Sequence, residues 1–584
     1  MPVHNADVAA VFEEIADLLE IEGSNPFRIR AYRSAARTLR DLPREVAAML
    51  DEGEDLTELP GIGEDLAAKI KEIVETGTAA ALEEHRNKVP KTLTELLRIP
   101  GIGPKRVKAL YRDLGIRTLA QLQKAAQDGR VRSLQGFGEK TERYILDQLK
   151  ARTGEETRFN LAVAMQYAEA LIAYLKASAG VKKVVAAGSY RRAKETIGDL
   201  DILVTADPGS PVMDRFTSYP EVEKVLAHGV TKASVRLACK LQVDVRVVPE
   251  DSYGAALLYF TGSKAHNVTL RQLAQQQGLK LNEYGLFKGN RSVAGVTEES
   301  VYAAVGLPWI PPELRESRGE FEAARAGHLP TLVELADLKG DLHAHTKATD
   351  GRNSMREMAE AARARGLEYL AITDHSRHLT MAKGLDPKRL FEQLEEIDRL
   401  NETLSGITLL KGIEVDILED GSLDLPDEDL SRLDLVVGAV HSHFRLSRQK
   451  QTERILRAMD RPCFTILAHP SGRLIDERAP YDVDMARLIQ HARERGCFLE
   501  VNAHPVRLDL TDTDCQMAKE EGVMLSVNSD AHSVLDLEHL RYGIGQARRG
   551  WLEKEDVLNA RPLHSLRPLL KRTMAKLLSM KRQV

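Results

Sequence analysis

Three acidic residues in the first half of the chain have the spacing of a site for two metal ions. Asp199 and Asp201 are two residues apart, so in a strand both carboxylates face one side, about 7 Å apart. Asp244 can join them from a neighbouring strand, because Val243 and Val245 would point into the core. Carboxylate oxygens suit Mg²⁺ or Mn²⁺, and two such ions can activate a hydroxyl group and stabilise a leaving group. The three aspartates are therefore candidate catalytic residues and metal ligands.

A Gly-Ser turn precedes these acids. Gly188 and Ser189 follow a predicted strand and open a helical turn, so backbone N–H groups and the Ser189 hydroxyl could hold a triphosphate. Arg192 could neutralise negative charge there. An Asp-x-Asp pair alone is usually a surface feature, but the joint pattern favours a site that transfers a nucleotide.

Histidines and acids recur through the second half of the chain, where most of the 17 histidines follow residue 340. Most of them end a short apolar run that predicts a strand, and His343 and His345 are expected to share one strand face. Imidazole and carboxylate mixtures suit Mn²⁺ or Zn²⁺, which can generate hydroxide and clamp a phosphate. The histidines and acids of this half follow in the order His343, His345, Asp350, Asp374, His375, Glu414, His441, His469, Asp530 and His532.

Three similar glycine turns occur in the first 150 residues, each opening a helix whose apolar residues have helical spacing. Segments 23–40 and 96–112 contain arginines or lysines but no acid, and the second of them includes a glycine turn. Each turn could be an ordinary connection between packed helices, yet such turns also let backbone N–H groups approach a DNA phosphate. The candidate DNA-binding residues are Gly61, Gly63, Gly101, Gly103, Lys105, Gly136 and Gly138.

The bulk properties predict a multidomain globular protein. A chain of 584 residues exceeds one ordinary domain, and 43% hydrophobic with 29% charged residues is typical of soluble proteins. The four cysteines form no Cys-x-x-Cys pair, which suits a reducing cytosol, and no run is apolar enough for a membrane span. We therefore expect a cytoplasmic protein without a membrane partner. The net charge of −5 leaves any DNA affinity to local basic patches.

The predicted elements change character along the chain. Residues 1–153 are predicted to be all-α, and residues 154–250 alternate helices with strands. A further segment at 251–310 ends in prolines, which predict a break and a charged linker at 311–335. Residues 336–584 alternate strands and helices, with polar residues at strand ends, as in a barrel.

The first set of motifs resembles the nucleotidyltransferase palm of family X DNA polymerases, the group that contains DNA polymerase beta. The resemblance continues in segment 259–263 (Tyr-Phe-Thr-Gly-Ser), which in that family lines the sugar pocket, and at two residues that match a minor-groove contact. The implied substrate-binding residues are Gly188, Ser189, Arg192, Tyr259, Phe260, Gly262, Asn267 and Arg271. Lys264 stands where the beta-type enzyme has an acid, which leaves base selectivity open.

The glycine turns resemble the helix-hairpin-helix elements of the same family. In beta-type enzymes the first element also carries a lysine that forms a Schiff base with an abasic sugar, and Lys69 falls at the matching place. Asp65 replaces a second lysine of that site, and a carboxylate opposes the lowered pKa that a lysine nucleophile needs. A lyase nucleophile and a lysine on a helix surface both remain open at this point.

The histidine-rich half resembles the PHP (polymerase and histidinol phosphatase) phosphoesterase domain, a distorted (β/α)7 barrel that holds up to three ions. The resemblance implies one ion at His343, His345, Glu414 and Asp530. It implies a second at Glu414, His441 and His469, and a third at Asp350, His375 and His532.

The whole order resembles bacterial family X DNA polymerases: a helix-hairpin-helix region (1–153), palm (154–250), thumb (251–310), linker (311–335) and PHP domain (336–584). It implies a monomeric gap-filling repair polymerase that uses DNA and deoxynucleoside triphosphates, with a 3′→5′ exonuclease in the PHP domain. One alternative is a small-molecule phosphatase of the histidinol-phosphate type, which would not need the three aspartates. Another is an inactive DNA-binding scaffold, against which the complete ligand sets argue.

Overall fold

The structure is a computed structural model, and it describes residues 3–42, 44–89, 92–97, 99, 102–134, 136–151 and 158–574. The chain divides into two compact units. The first contains Met1–Phe159, Thr217–Leu226 and Val235–Gln242, and the second contains Asn160–Phe216, Ala227–Ser234 and Val243–Val584. Within the described residues, no helix combines the length and apolar character that crossing a membrane requires.

The N-terminal region is all-α, as the sequence predicts. Its helices are α1 (Asn5–Glu22), α2 (Pro26–Asp41), α3 (Val46–Asp51), α4 (Glu64–Thr76), α5 (Ala80–Lys88), α6 (Thr92–Leu97), α7 (Pro104–Leu114), α8 (Leu119–Gln127) and α9 (Glu139–Ala151). Helices α1 and α2 pack through buried apolar residues, where the rings of Phe12 and Tyr32 meet edge to face at 5.4 Å. Helices α4 and α7 each begin directly after a glycine of a predicted turn, Gly63 and Gly103.

The palm contains the predicted helix and strands. Its elements are β1 (Phe159–Asn160), α10 (Leu161–Lys176), β2 (Val181–Ala186), α11 (Gly188–Arg191), β3 (Thr196–Ile197), β4 (Asp199–Ala206), α12 (Val212–Thr217), β5 (Val222–His228), β6 (Lys232–Leu237) and β7 (Gln242–Val247). Strand β4 lies between β2 and β7. Leu200 of β4 and both Val243 and Val245 of β7 are buried, so the aspartates beside them face the opposite side.

The thumb consists of helices around a three-stranded antiparallel sheet. Its elements are α13 (Tyr253–Thr261), α14 (Lys264–Gln276), β8 (Lys280–Asn282), β9 (Gly285–Lys288), β10 (Arg291–Ala294) and α15 (Glu298–Ala304), followed by α16 (Glu320–Ala326). The predicted linker at 311–335 is folded onto this core, because Leu314 and Phe321 are buried against Leu258 and Tyr302. The prolines interrupt the helices, but the apolar residues between the charges still find a hydrophobic surface.

The C-terminal domain alternates strands and helices. Its elements are β11 (Gly340–Asp341), α17 (Met355–Ala364), β12 (Tyr369–Ile372), α18 (Pro387–Thr403), β13 (Thr408–Lys411), β14 (Glu414–Asp416), α19 (Asp427–Leu430), β15 (Val437–Ala439), α20 (Arg448–Met459), β16 (Ile466–Leu467), α21 (Met485–Arg495), β17 (Phe498–Asn502), α22 (Asp512–Glu520), β18 (Leu525–Asn528), α23 (Leu540–Arg549) and α24 (Leu563–Met574). All strand pairs here are parallel.

The strands of this domain follow one another in the order of the chain, from β11 to β13 and from β14 to β18. A parallel bridge between Ala344, after β11, and Ala531, after β18, joins the two ends. Strands β13 and β14 are separated only by Gly412 and Ile413, so they act as one interrupted strand. This arrangement agrees with the predicted distorted (β/α)7 barrel.

Candidate active sites

The palm brings the three predicted aspartates onto one side of neighbouring strands. Asp199 and Asp201 lie on β4, and Asp244 lies on the adjacent β7. Burial, together with the charges of Asp199 and Asp244, raises the pKa of Asp201 to about 7. The Ser234 hydroxyl donates a hydrogen bond to Oδ1 of Asp244. The sequence does not predict this role of Ser234, because its contact with Asp244 depends on the pairing of β6 with β7.

This group fits a divalent cation. Its donors are carboxylate oxygens, which Mg²⁺ and Mn²⁺ prefer. Burial and the repulsion of the neighbouring acids both raise the pKa of Asp201, and a bound cation would stabilise its charged form.

The Gly-Ser turn lies directly beside these acids. Gly188 has φ +61°, and a Cβ atom there would stand 2.6 Å from Oδ2 of Asp201. The N–H of Ala187 also donates to the carbonyl of Asp201 at 2.8 Å. Both the close approach and the positive φ require glycine at 188. Ser189 is the next residue of the same short helical turn, α11.

Arg192 lies near both the turn and the predicted sugar pocket, but its guanidinium is engaged by protein groups. Nε donates to Oε1 of Glu316 at 2.9 Å, and Nη1 donates to the carbonyl of Thr261. A Cβ atom at Gly262 would lie 3.1 Å from Nη1 of Arg192. A role for Arg192 in neutralising a triphosphate therefore stays a prediction, and it requires the guanidinium to share or exchange these partners.

The residues predicted to contact the nucleotide are neighbours at the junction of α13 and α14. The Asn267 side-chain amide donates to the carbonyl of Tyr259 at 2.7 Å, and the Arg271 guanidinium lies 5.8 Å from the centre of the Tyr259 ring. Tyr259 and Phe260 meet edge to face at 5.1 Å. Arg246, which sequence analysis did not select, lies over the Phe260 ring at 4.5 Å.

The glycine turns of the N-terminal region share one backbone hydrogen bond. In each, the N–H of the fourth residue donates to the carbonyl of the first: Ile62 to Leu59, Ile102 to Ile99, and Phe137 to Leu134, at 2.9 to 3.1 Å. The donor residue is buried each time. No described atom lies within 4 Å of where a Cβ would stand at Gly63, Gly103, Gly136 or Gly138.

These turns therefore present backbone to the surface, as DNA-phosphate binding requires. Gly61 has φ +68° and is exposed, and Lys105 is exposed beside the second turn. Gly101 lies outside the described residues. Arg106 donates to the carbonyl of Gly136 at 3.3 Å.

Lys69 is paired with a carboxylate. Its ammonium donates to Oδ1 of Asp65, one helical turn earlier, and its side chain is 16% exposed. A neighbouring carboxylate stabilises the charged form of the amine, whereas a Schiff-base nucleophile must be neutral. A role for Lys69 as a lyase nucleophile stays a prediction, and it requires the amine to leave this carboxylate.

The second centre brings the predicted ligands of the barrel close together. Three groups have ligand atoms within 4.8 Å of one another, and Glu414 occupies the middle. Its carboxylate oxygens lie 2.7 to 3.6 Å from nitrogens of His343, His345, His375, His441 and His469. The groups are His343, His345 and Asp530; His375, Glu414 and His441; and His345, Asp350, His375 and His532.

These groups differ in detail from the predicted sets. His375 and His345 each belong to two groups, whereas the resemblance assigned each of them to one ion. His469 is in none of the three, although its Nε2 lies 3.0 Å from Oε1 of Glu414. His343 and His345 also lie beyond the end of strand β11 rather than on it, yet their rings are 5.1 Å apart. The division of ligands among ions stays a prediction.

Several histidines are oriented by partners that the sequence-derived set did not include. Nδ1 of His343 lies 2.7 Å from Oε1 of Glu500, and Nδ1 of His441 lies 2.9 Å from Oδ1 of Asp416. Such contacts fix the ring so that the other nitrogen faces the ion. Glu500 lies in β17 and Asp416 lies in β14. Their local sequence does not distinguish an acid that orients a ligand from an acid that is itself a ligand.

The barrel residues also fit metal ions. Buried side-chain atoms without a hydrogen-bond partner include Nε2 of His343, Nδ1 of His345 and Oε2 of Glu414. Leaving such atoms unpaired is costly, and a metal ion would satisfy them. Burial and the charges of His532 and His375 lower the pKa of His345 to about 4, so this ring is neutral, as a ligand must be.

Family models match the chain in five places. They are a helix-hairpin-helix domain (residues 3–79), a SAM-like helix-hairpin-helix tandem (93–151), the DNA polymerase beta palm (163–250), the DNA polymerase beta thumb (256–316) and a PHP domain (341–504). These matches agree with the described fold.

Curated relatives match either the whole chain or one part of it. DNA polymerase/3′-5′ exonuclease PolX of Bacillus subtilis (strain 168) is 39% identical over 98% of this chain and 100% of its own length. A probable phosphatase of Thermoanaerobacter sp. (strain X514) is 30% identical over 38% of this chain and 89% of its own length. DNA polymerase lambda of Arabidopsis thaliana is 28% identical over 54% of this chain and 62% of its own length.

Proposed function

Because the chain belongs to the family X DNA polymerases that carry a C-terminal PHP domain, we propose that it is a DNA-directed DNA polymerase for gap-filling repair, with a metal-dependent 3′→5′ exonuclease in its barrel. One observation carries this proposal: a complete acidic centre in the palm and a complete His/carboxylate centre in the barrel occur on one chain. The first has the donors of nucleotidyl transfer and the second those of phosphoester hydrolysis.

In the palm, Asp199, Asp201 and Asp244 would hold Mg²⁺ or Mn²⁺, which when bound supplies Lewis acidity for nucleotidyl transfer. The turn at Gly188 and Ser189 would bind the triphosphate through backbone N–H groups.

The sugar and nascent base pair of the incoming nucleotide would contact the group at the α13–α14 junction. Its members are Tyr259, Phe260, Gly262, Asn267 and Arg271.

In the barrel, Glu414 and the surrounding histidines would hold up to three Mn²⁺ or Zn²⁺ ions, which supply hydroxide and neutralise phosphate charge when bound. Glu500 and Asp416 would keep the rings of His343 and His441 in the ligating orientation. The exposed glycine turns of the N-terminal region would bind DNA phosphates through backbone N–H groups.

Two other functions are weaker. A small-molecule phosphatase would use the barrel alone, and the phosphatase relative indeed covers only 38% of this chain. An inactive scaffold would not need to keep both ligand sets. We propose further that the protein acts as a monomer in the cytoplasm on gapped or primer–template DNA and deoxynucleoside triphosphates.

The test is a gapped DNA substrate with nucleotides and either Mg²⁺ or Mn²⁺, given to the wild type and to variants disabled at one centre. We expect each variant to lose one activity and retain the other. Hydrolysis must release nucleoside monophosphates without added pyrophosphate, which separates it from reversal of the polymerase reaction. A wild type that neither extends nor degrades the primer would contradict the proposal.

A further inference from the structure

A carboxylate of the palm reaches into the barrel domain. Oε2 of Glu195 accepts a hydrogen bond from Nη2 of Arg473 at 2.7 Å, and Oε1 accepts one from Nη1 at 3.3 Å. The backbone of Glu195 is itself held, because its carbonyl accepts from the N–H of Leu161 at 3.0 Å. A two-pronged contact of this kind fixes the plane of a guanidinium as well as its position.

Arg473 uses the rest of its guanidinium on a turn of the barrel. Nε donates to the carbonyl of Arg507 at 2.9 Å, and Nη2 also donates to the carbonyl of Leu508. The same turn also binds the loop after His469, because the Asp509 carboxylate accepts hydrogen bonds from the N–H groups of residues 471 and 472. Arg473, 11% exposed, thus clamps the backbone from which the Arg507 side chain projects.

The Arg507 side chain ends at the histidine centre. Its Nε lies 3.6 Å from Oδ2 of Asp530, and the Asn502 amide donates to the same oxygen at 3.0 Å. The other oxygen, Oδ1, lies 3.2 Å from Nε2 of His345 and 3.5 Å from Nε2 of His343. Arg507 and Asn502 therefore hold Asp530 with one oxygen turned toward the proposed ion.

We propose that Glu195 is a positioning residue of the exonuclease centre, acting from the palm through Arg473 and Arg507 on the orientation of Asp530. This inference rests on the proposed exonuclease function of the barrel. Without the Glu195 carboxylate, Arg473 loses its charged hydrogen-bond partner and keeps hydrogen bonds to the carbonyls of residues 507 and 508, so the turn and the Arg507 side chain gain freedom. The palm thereby sets how well the barrel binds its metal.

The test uses the full-length protein with the substitutions Glu195→Gln and Arg473→Lys, alone and together. The 3′→5′ degradation of a labelled primer is measured against Mn²⁺ concentration, and primer extension is measured in the same preparations. Glu195→Gln should raise the half-saturating Mn²⁺ concentration of degradation about tenfold, as for other residues that orient a ligand. Extension and its Mn²⁺ dependence should not change.

The double variant should degrade DNA no more slowly than Arg473→Lys alone, because both substitutions break one chain of contacts. Glu250→Gln removes another palm carboxylate, one that pairs with Lys182 on the surface, and should leave both activities unchanged. Degradation by Glu195→Gln with wild-type Mn²⁺ dependence would overturn the inference. Equal loss of degradation and extension would also overturn it and assign Glu195 to the stability of the palm. Absence of degradation by the wild type would instead contradict the proposed function.

Discussion

Oε2 of Glu414 lies 2.7 Å from Nδ1 of His375, at a point where a parallel bridge pairs the backbones of the same two residues. The bridge places Glu414 beside the segment that follows β12, and its carboxylate lies in the middle of the histidine cluster. The other histidines in contact with Glu414 follow three strands: His343 and His345 come after β11, His441 after β15 and His469 after β16. The importance of Glu414 to the centre follows from this position.

We predict that Glu414→Ala abolishes DNA degradation in Mn²⁺, a loss of at least about 100-fold, and that His343→Ala is less damaging. Glu414 contacts histidines of all three groups, so its loss should disturb more than one ion, whereas His343 is a ligand of one group. Release of labelled nucleoside monophosphates without pyrophosphate measures the effect. Glu392→Ala, which removes an exposed acid of α18, serves as the control. If Glu414→Ala degrades DNA at the wild-type rate, the assignment of the nuclease to the barrel is wrong.

Substitution of the palm acids should have the opposite outcome. Asp199→Ala or Asp244→Ala should abolish primer extension and leave degradation intact, because both carboxylates belong only to the palm centre. Loss of a metal ligand should cost several kcal/mol in transition-state stabilisation, roughly 1000-fold or more in rate. Asp207→Ala, just after β4, removes an exposed acid and should extend primers normally. Retained extension by Asp244→Ala would contradict its assignment.

A third prediction concerns the second glycine turn. Simultaneous replacement of Lys105, Arg106 and Lys108 by Ala should weaken binding to gapped DNA irrespective of sequence. The slope of log Kd against log salt should flatten by about 0.9 for each DNA phosphate that the variant no longer neutralises. Lys388→Ala, which removes an exposed cation of α18, provides a comparison away from the turn. An unchanged slope would mean that this turn only connects two helices.

The N-terminal region should show pH-dependent stability through His4. Burial opposes the charged form of this ring, but hydrogen bonds to Glu221 and Glu45 raise its pKa to about 10. A raised pKa stabilises the fold fully below the unfolded value of about 6.5. The stabilisation is lost as pH rises through 10.

His4→Gln should therefore destabilise the protein by about 3–5 kcal/mol at pH 6, the usual cost of breaking a buried ion pair. The difference from the wild type should shrink steadily toward pH 9.5. Calorimetric unfolding of both proteins across this range measures it. A difference that stays constant with pH would show that the ring acts only by packing.

Local patterns were sufficient to identify both centres. The two-residue period of a strand places Asp199 and Asp201 on one side whatever the rest of the fold, and buried Val243 and Val245 leave Asp244 on that same side. Most histidines of the barrel end a short apolar run, whereas the ligand set as a whole, with Asp350 and Glu414, came from the resemblance to the PHP domain. Strands β11, β13 and β14 were missed, because they have only two to four residues and contain charged or polar ones.

Only the tertiary structure decided which distant groups meet. Three side-chain contacts join residues far apart in the chain: Arg192 with Glu316, Glu195 with Arg473, and Glu500 with His343. The strength of an ion pair depends on the distance between the charges and on their burial, and neither quantity follows from local spacing in the sequence. The same reason explains why a segment rich in proline and charge, predicted to be a linker, folds onto the thumb. Sequence periodicity predicts which residues are buried, but the surface against which they pack is determined only by the tertiary structure.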